Sequence, residues 1–289
     1  VKDAMKNSST KNLIYALCAI TVVIVVFLIL IVAKGTKTTA TSTTTTTAAA
    51  GNTTGSTPAP ATITADLTAV QQSTLDTIGT GTVLAKPTAI TAPSITQNNK
   101  PEILYEGAEF CPYCATERWP MAVALSKFGS FTSLRVTHSS STDVYPNTQT
   151  LSFYESTYRS NYLNFEPIEI ETNIPNGDGY TMLQTPTVAE NKIVNTYDAT
   201  PYLSSDEAGS IPFIDFGGHY LIAGATYSPT VLQGKSAASI AGSLNTPSSS
   251  VAKGVDGTAN TMIATICKLT SNQPATVCDS TIQKIESQL

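Results

Sequence analysis

Apolar side chains are spread unevenly along this chain. The first concentration, Leu13 to Ala33, reads LIYALCAITVVIVVFLILIVA, without a charge, a proline or a glycine. A helix of that length spans about 30 Å, the thickness of bilayer hydrocarbon. Residues 13–33 are therefore expected to form a transmembrane helix in the lipid bilayer, behind a short cytoplasmic tail, residues 1–12. A cleavable signal peptide is the competing reading, because Lys2, Lys6 and Lys11 precede the stretch. The length of the run and the want of a clean small-x-small site after it favour a retained anchor. From Thr36 to Thr64 the apolar pattern vanishes and roughly half the residues are threonine. Such a tract buries too little apolar surface to fold alone and suits a disordered, O-glycosylated stalk. Residues 34–64 are assigned to that stalk, with Asn52 of Asn52-Thr53-Thr54 as a glycosylation candidate. A stalk belongs outside the cell, so the tail is cytoplasmic and residues 65–289 form an extracytoplasmic domain.

Within that domain the periodicity predicts mixed α/β structure. Leu67, Val70, Leu75 and Ile78 have near-helical spacing, and Gly79 ends the helix. Residues 102–110 read as a strand; Met121, Val123, Ala124, Leu125 and Phe128 give the helix after it an apolar face. Phe131 to His138 reads as a second strand, with further strands at 150–154 and 165–171. Thr185-Pro186 opens a helix carrying Val188, Ile193 and Tyr197, with Thr as cap and Pro in the first turn. Residues 210–222 alternate about Gly217-Gly218 as a hairpin. Helices from Ser228-Pro229, over 248–269 and over 274–289 complete the chain.

Charge narrows the partners. Beyond Lys37 there are eleven basic and twenty acidic residues, a net of −9. An acidic surface without a Lys/Arg cluster is unsuited to a phosphate backbone, so no nucleic-acid partner is expected. The five cysteines are Cys18, inside the apolar run, and two pairs, Cys111/Cys114 and Cys267/Cys278. Cys267 and Cys278 are expected to form a structural disulfide between two terminal helices, a second redox relay being the sharper alternative. No metal is expected: the spacing of the second pair does not match a zinc knuckle, and His138 and His219 stand alone. Haem attachment would need a histidine where Ala115 stands. No other cofactor is implied.

Candidate chemistry lies in Phe110-Cys111-Pro112-Tyr113-Cys114. A cysteine at a helix start meets unpaired backbone N–H groups and the positive end of the helix dipole, which stabilise its thiolate. Two intervening residues let the second thiol reach back and resolve a mixed disulfide. Cys111 is thus the candidate nucleophile and Cys114 the resolver. Pro112 fixes the first turn, and Tyr113 offers an uncharged aromatic surface to a substrate. A permanent, non-catalytic disulfide at this pair is the competing reading.

The order of strand, CxxC, helix, strand, insert, Ile-Pro, hairpin and helices resembles the thioredoxin superfamily. It is most like the branches of disulfide oxidases and isomerases that carry an insert. GAEFCPYCATERW, SIPFIDFGGHY and the ending ICKL…QPATVC are similar to an anchored or secreted thioredoxin-like family of prokaryotes, notably archaea. The resemblance implies a thioredoxin-like fold with an insertion and extra C-terminal helices. It also implies that Ile211-Pro212 holds a cis-proline facing Cys111, with the Ile211 backbone docking the substrate chain. The chain departs from the pattern at Phe110, where Trp is usual, and at Tyr105, where a buried acid is common. Glu106 and Glu109 lie near that position, and Pro120 follows Cys114 by six residues rather than five. The implied function is an extracytoplasmic thiol–disulfide oxidoreductase acting on thiols or disulfides of exported proteins, with a membrane redox partner or surface complex beside it. The alternative is a thioredoxin-like scaffold that binds partners without turnover. Tyr145, Tyr154, Tyr158 and Tyr162 read as packing of the insert in preference to a peptide groove.

Overall fold

The computed structural model describes residues 55–289. The tail, the span at 13–33, Asn52 and the larger part of the stalk lie outside the described residues. Among the described residues no helix is long and apolar enough to cross a membrane.

The architecture is mixed α/β. A central sheet contains β1 (Thr88–Ala89), β2 (Thr96–Gln97), β3 (Lys100–Gly107), β4 (Asn164–Glu169), β5 (Phe213–Phe216) and β6 (Tyr220–Ala223). The sequence β1-β6-β5-β3 is antiparallel throughout, β2 pairs antiparallel with the first residues of β3, and β4 lies parallel to β3 on its other side. β3 is therefore flanked along its length by β5 and β4, which is why Ile103, Leu104 and Tyr105 are all buried, with no polar alternation.

Seven α-helices accompany the sheet among the described residues: α1 (Ala61–Thr68), α2 (Gln72–Ile78), α3 (Pro112–Phe128), α4 (Val188–Tyr197), α5 (Ala237–Ser243), α6 (Ser250–Leu269) and α7 (Ser280–Glu286). Three short antiparallel strand pairs lie in the stretch between α3 and α4. Gly129–Thr132 pairs with Thr157–Ser160, Arg135–His138 with Gln149–Ser152, and Glu171–Asn176 with Gly179–Met182. Phe131, Phe153, Tyr158 and Phe165 bring their rings together beneath them.

Several expectations shift. The fold begins before residue 65: Thr57–Pro58 pairs with Arg135–Val136, Ser56 is buried, and Ile63 of α1 enters the core. The cause is tertiary, because these threonines and prolines find an edge strand to pair with. The single helix expected over 65–78 is two. Asn245 bridges the break, donating to the Ala69 carbonyl and accepting from Gln71 N–H, while Lys127 Nζ donates to the Val70 carbonyl. Phe131 to His138 is two strands in different strand pairs, turning at Ser133, which has φ 61°. α4 starts two residues later than Thr185-Pro186 suggests, because Thr187 forms a reciprocal capping box with Glu190. Ser228-Pro229 opens only a 3₁₀ turn, Pro229–Leu232.

Helix α3 keeps Pro120 inside it, which removes the N–H that would bond the Thr116 carbonyl. Tyr227 supplies the replacement, its hydroxyl donating to that carbonyl at 2.9 Å. The Tyr227 ring fits because α6 has Gly254 against it; a Cβ there would stand 2.6 Å from Cδ2. α6 also closes α2, since Asn260 Nδ2 donates to the carbonyls of Leu75 and Gly79. Cys267 at the end of α6 is bonded to Cys278 just before α7.

Burial raises four carboxyls: Glu109, Glu117 and Asp215 to about 7, and Asp256 to about 8. Unfolded, they ionise in the ordinary carboxylate range. Between that range and about 8 the folded form binds more protons, so stability is full below the unfolded values and falls as pH rises through the folded ones. The urea midpoint should decline from about pH 5 to about pH 8, and Asp256→Asn should flatten the upper part of the decline. A midpoint that rises over this interval would contradict the assignment. Separately, Tyr227→Phe leaves the Thr116 carbonyl buried without a donor. It should cost about 1–3 kcal/mol in equilibrium unfolding; a loss below about 0.5 kcal/mol would mean that the helix closes the gap itself.

Candidate functional site

The site forms where β3 runs out and α3 begins. The end of β3 is locked to the crossing segment by Ile170 N–H to the Gly107 carbonyl and Glu109 N–H to the Glu171 carbonyl, both 2.8 Å. Four residues beyond Gly107, Cys111 is the N-cap of α3, with Pro112 at the first helical position. Its sulfur does what a Ser or Asp oxygen does at other caps, accepting the Cys114 N–H at 3.3 Å.

The two thiols are free and unequal. Cys111 is 4% exposed and Cys114 fully buried. The Cys114 thiol and N–H donate to the Cys111 sulfur and lower its pKa, outweighing burial; the Tyr113 N–H and the Arg118 charge act in the same direction. Burial pushes Cys114 well above the ordinary thiol range, and the hydrogen bond to Cys111 adds to it. Cys111 is thus the sulfur that ionises first, and Cys114 holds the proton.

Ile211 lies across from the pair. Its carbonyl is 3.6 Å from Cys111 Sγ, and the Ile211–Pro212 bond is cis, as are Thr200–Pro201 and Gln273–Pro274. The side chains of Phe110, Ile170 and Ile211 pack around Ala108 and both cysteines. Phe110 stacks on Tyr180 with centroids 4.3 Å apart, and Tyr180 OH donates to Ser140 Oγ. Ser140 N–H in turn donates to the Phe110 carbonyl at 2.7 Å. Tyr113 is 40% exposed and meets Tyr145 edge-on. Tyr158 and Tyr162 pack on Phe131 and Phe128, and Tyr154 lies under Arg135.

Behind the thiols is a fully buried ion pair. Arg118 Nε and Nη2 donate to the two oxygens of Glu169 at 2.8 and 2.6 Å, and Nη2 also donates to the Ala108 carbonyl. The guanidinium lies 5.9 Å from the centre of the Tyr105 ring. The sequence pattern alone does not single out Arg118 or Glu169 as site residues. Arg118 was within reach of it, standing four residues beyond Cys114 on the same helix face. The pairing with Glu169, in another strand, had no local signal. Glu109 is buried at the same end, with Ser152 and Ser56 beside it.

Other candidates lie apart. Among the described residues no three His, Cys, Asp or Glu side chains are grouped to hold a metal. His138 bonds the Ser139 carbonyl and His219 bonds Ser94 Oγ. A cavity of about 490 Å³, lined by Ile90, Ser94, Pro101, His219 and Lys268 among others, opens at the far end of β3 from the thiols.

Fold and site define a mixed α/β protein with an asymmetric vicinal dithiol at a helix N-terminus. Residues 86–268, well over half the chain, match the family model described as Domain of unknown function (DUF929), and the chain belongs to that family. The match takes in Tyr105, Cys111, Cys114, Arg118, Glu169 and Ile211-Pro212. No curated protein and no solved structure matches the chain.

The asymmetry has a direct readout. In the reduced protein near neutral pH, iodoacetamide should modify Cys111 at least about tenfold faster than Cys114, followed by peptide mass spectrometry. Equal rates, or faster labelling of Cys114, would contradict the order of ionisation.

Proposed function

We propose that this chain is a thioredoxin-like thiol–disulfide oxidoreductase, anchored by residues 13–33 and acting outside the membrane on exported proteins. The observation that carries the reading is the asymmetry of the dithiol: Cys111 caps α3 with a lowered pKa, while Cys114 is sealed behind it with a raised one. The topology supports the thioredoxin-like part. β3 and β4 are parallel and joined through α3, and the antiparallel hairpin β5–β6 lies on the other side of β3. The Cys267–Cys278 bond supports an oxidising compartment.

In the reducing direction, Cys111 thiolate attacks one sulfur of a substrate disulfide. That bond breaks, its electron pair leaves with the second substrate sulfur, and a mixed disulfide joins Cys111 to the substrate. Cys114 then attacks Cys111 Sγ, forming the Cys111–Cys114 bond and expelling the remaining substrate sulfur. The Cys114 proton and one solvent proton leave both substrate sulfurs as thiols. Oxidation of a substrate dithiol is the reverse. The Ile211 carbonyl beside Cys111 and the exposed Tyr113 ring are the groups an extended substrate meets first.

The scaffold reading keeps one observation in its favour. At 4% exposure, Cys111 offers little surface to an incoming disulfide. Trp119, fully buried on the same helix with its Nε1 on the Gln149 carbonyl, provides the test. Its fluorescence should change on titration in a graded redox buffer, with a midpoint between about −270 and −120 mV, the range of working oxidoreductases. The change should vanish in Cys111→Ser and survive Cys267→Ala/Cys278→Ala. A midpoint below about −300 mV, or a signal that follows the terminal pair, removes the oxidoreductase reading in favour of the scaffold.

A further inference from the structure

Two buried hydrogen-bond donors near Cys114 have no acceptor: the Tyr105 hydroxyl and Arg118 Nη1. Orphaned buried donors are uncommon in folded proteins, and one attached to a cation is costly. Both belong to side chains with no exposed surface.

Their position suggests what they serve. A Cβ at Gly107 would overlap the Tyr105 hydroxyl and stand 3.1 Å from Cys114 Sγ. Oxygen and sulfur therefore flank the same small space, which exists only because residue 107 has no side chain. Arg118 follows Cys114 by one helical turn, and its Nη2 holds the carbonyl of Ala108, whose side chain packs on both cysteines. Glu169 occupies Nε and Nη2, which leaves Nη1 as the unused donor.

We propose that Tyr105 and Arg118 are positioning residues for Cys114, their unused O–H and Nη1–H donating to the thiolate it forms when it resolves a mixed disulfide. The inference rests on the oxidoreductase reading and adds how the buried thiol ionises without a carboxylate at position 105. In the resolving step Cys114 gives up its proton, and one is taken up by the departing substrate sulfur. The negative charge created on Cys114 Sγ meets two donors already in place, with no reorganisation of solvent. The forming Cys111–Cys114 bond then discharges it. The other titratable groups around this space are Cys111 and Glu169, held in its ion pair; Glu109, raised by burial to about 7, acts on Glu169 and Arg118.

The test uses the full-length chain in detergent, with Cys18→Ala to silence the thiol outside the site, and Ellman's reagent as the disulfide. Attack by Cys111 releases the first thionitrobenzoate and resolution by Cys114 the second, so stopped-flow absorbance separates the steps. Tyr105→Phe should leave the first phase unchanged, slow the second by about tenfold and move its pH profile upward by about one unit. Arg118→Met combined with Glu169→Gln, which leaves no bare buried charge, should also displace the second-phase profile upward. Trp119 fluorescence checks that each variant is folded. Rates compared at pH values above the Glu109 titration keep that group constant. A purely structural role would slow both phases together and leave the pH profile in place. A second-phase profile unmoved in both variants overturns the proposal. A parent protein whose Cys111 gives no first phase removes the oxidoreductase reading, and this inference with it.

Discussion

The ion pair between Arg118 and Glu169 joins the helix that carries the dithiol to the strand beside β3, in a place from which water is excluded. Two charges in such a place are tolerated only when each is closely matched. Glu169 accepts from two guanidinium nitrogens and from the Phe153 N–H, and Arg118 also holds the Ala108 carbonyl. Removing one partner from a buried pair typically costs about 3–5 kcal/mol, because the other is left charged and unpaired. Four parts of the fold meet at this contact: α3, the end of β4, the Ala108 turn and the hairpin containing Ser152-Phe153.

The same helix shows how a local defect becomes a tertiary contact. Pro120 opens a gap in the backbone ladder at the Thr116 carbonyl, and Tyr227 closes it from a distant segment. Tyr227 can do so because α6 offers Gly254 where a side chain would collide. Glu117, one residue on from Thr116, accepts from Thr226 N–H and Oγ1. Side-chain to backbone bonding of this kind covers for the scarcity of charge: only 13% of residues are charged. Burial raises the carboxyls of Glu109, Glu117, Asp215 and Asp256 toward neutrality, which ties the stability of the fold to pH.

The Thr- and Tyr-rich insert, which has no strong period of its own, supplies much of the wall around Cys111. Ser140, Ile170 and Tyr180 all come from it, and each is held by a contact to the Phe110–Cys111 region. A dithiol at a helix start is available to any sequence with CxxC before an apolar helix. The insert and the Ile211 carbonyl determine that this one is nearly enclosed, with Tyr113 as its exposed neighbour.

What the sequence determined by itself was local. Strand β3, the helix after Cys114, the hairpin about Gly217-Gly218 and the long α6 were legible because each is a run whose period or turn chemistry is set by neighbouring residues. The unequal Cys111 and Cys114 were legible for the same reason, since a cap and the residue three positions on belong to one turn of helix. The tertiary structure decided the rest. Residues 55–64 join the fold because an edge strand accepts them, and α1 and α2 separate because Asn245 and Lys127 satisfy the break. Tyr105, Arg118 and Glu169 form one cluster from three elements. No local pattern announces such a cluster, because its energy comes from removing water from groups that meet only after the chain has folded.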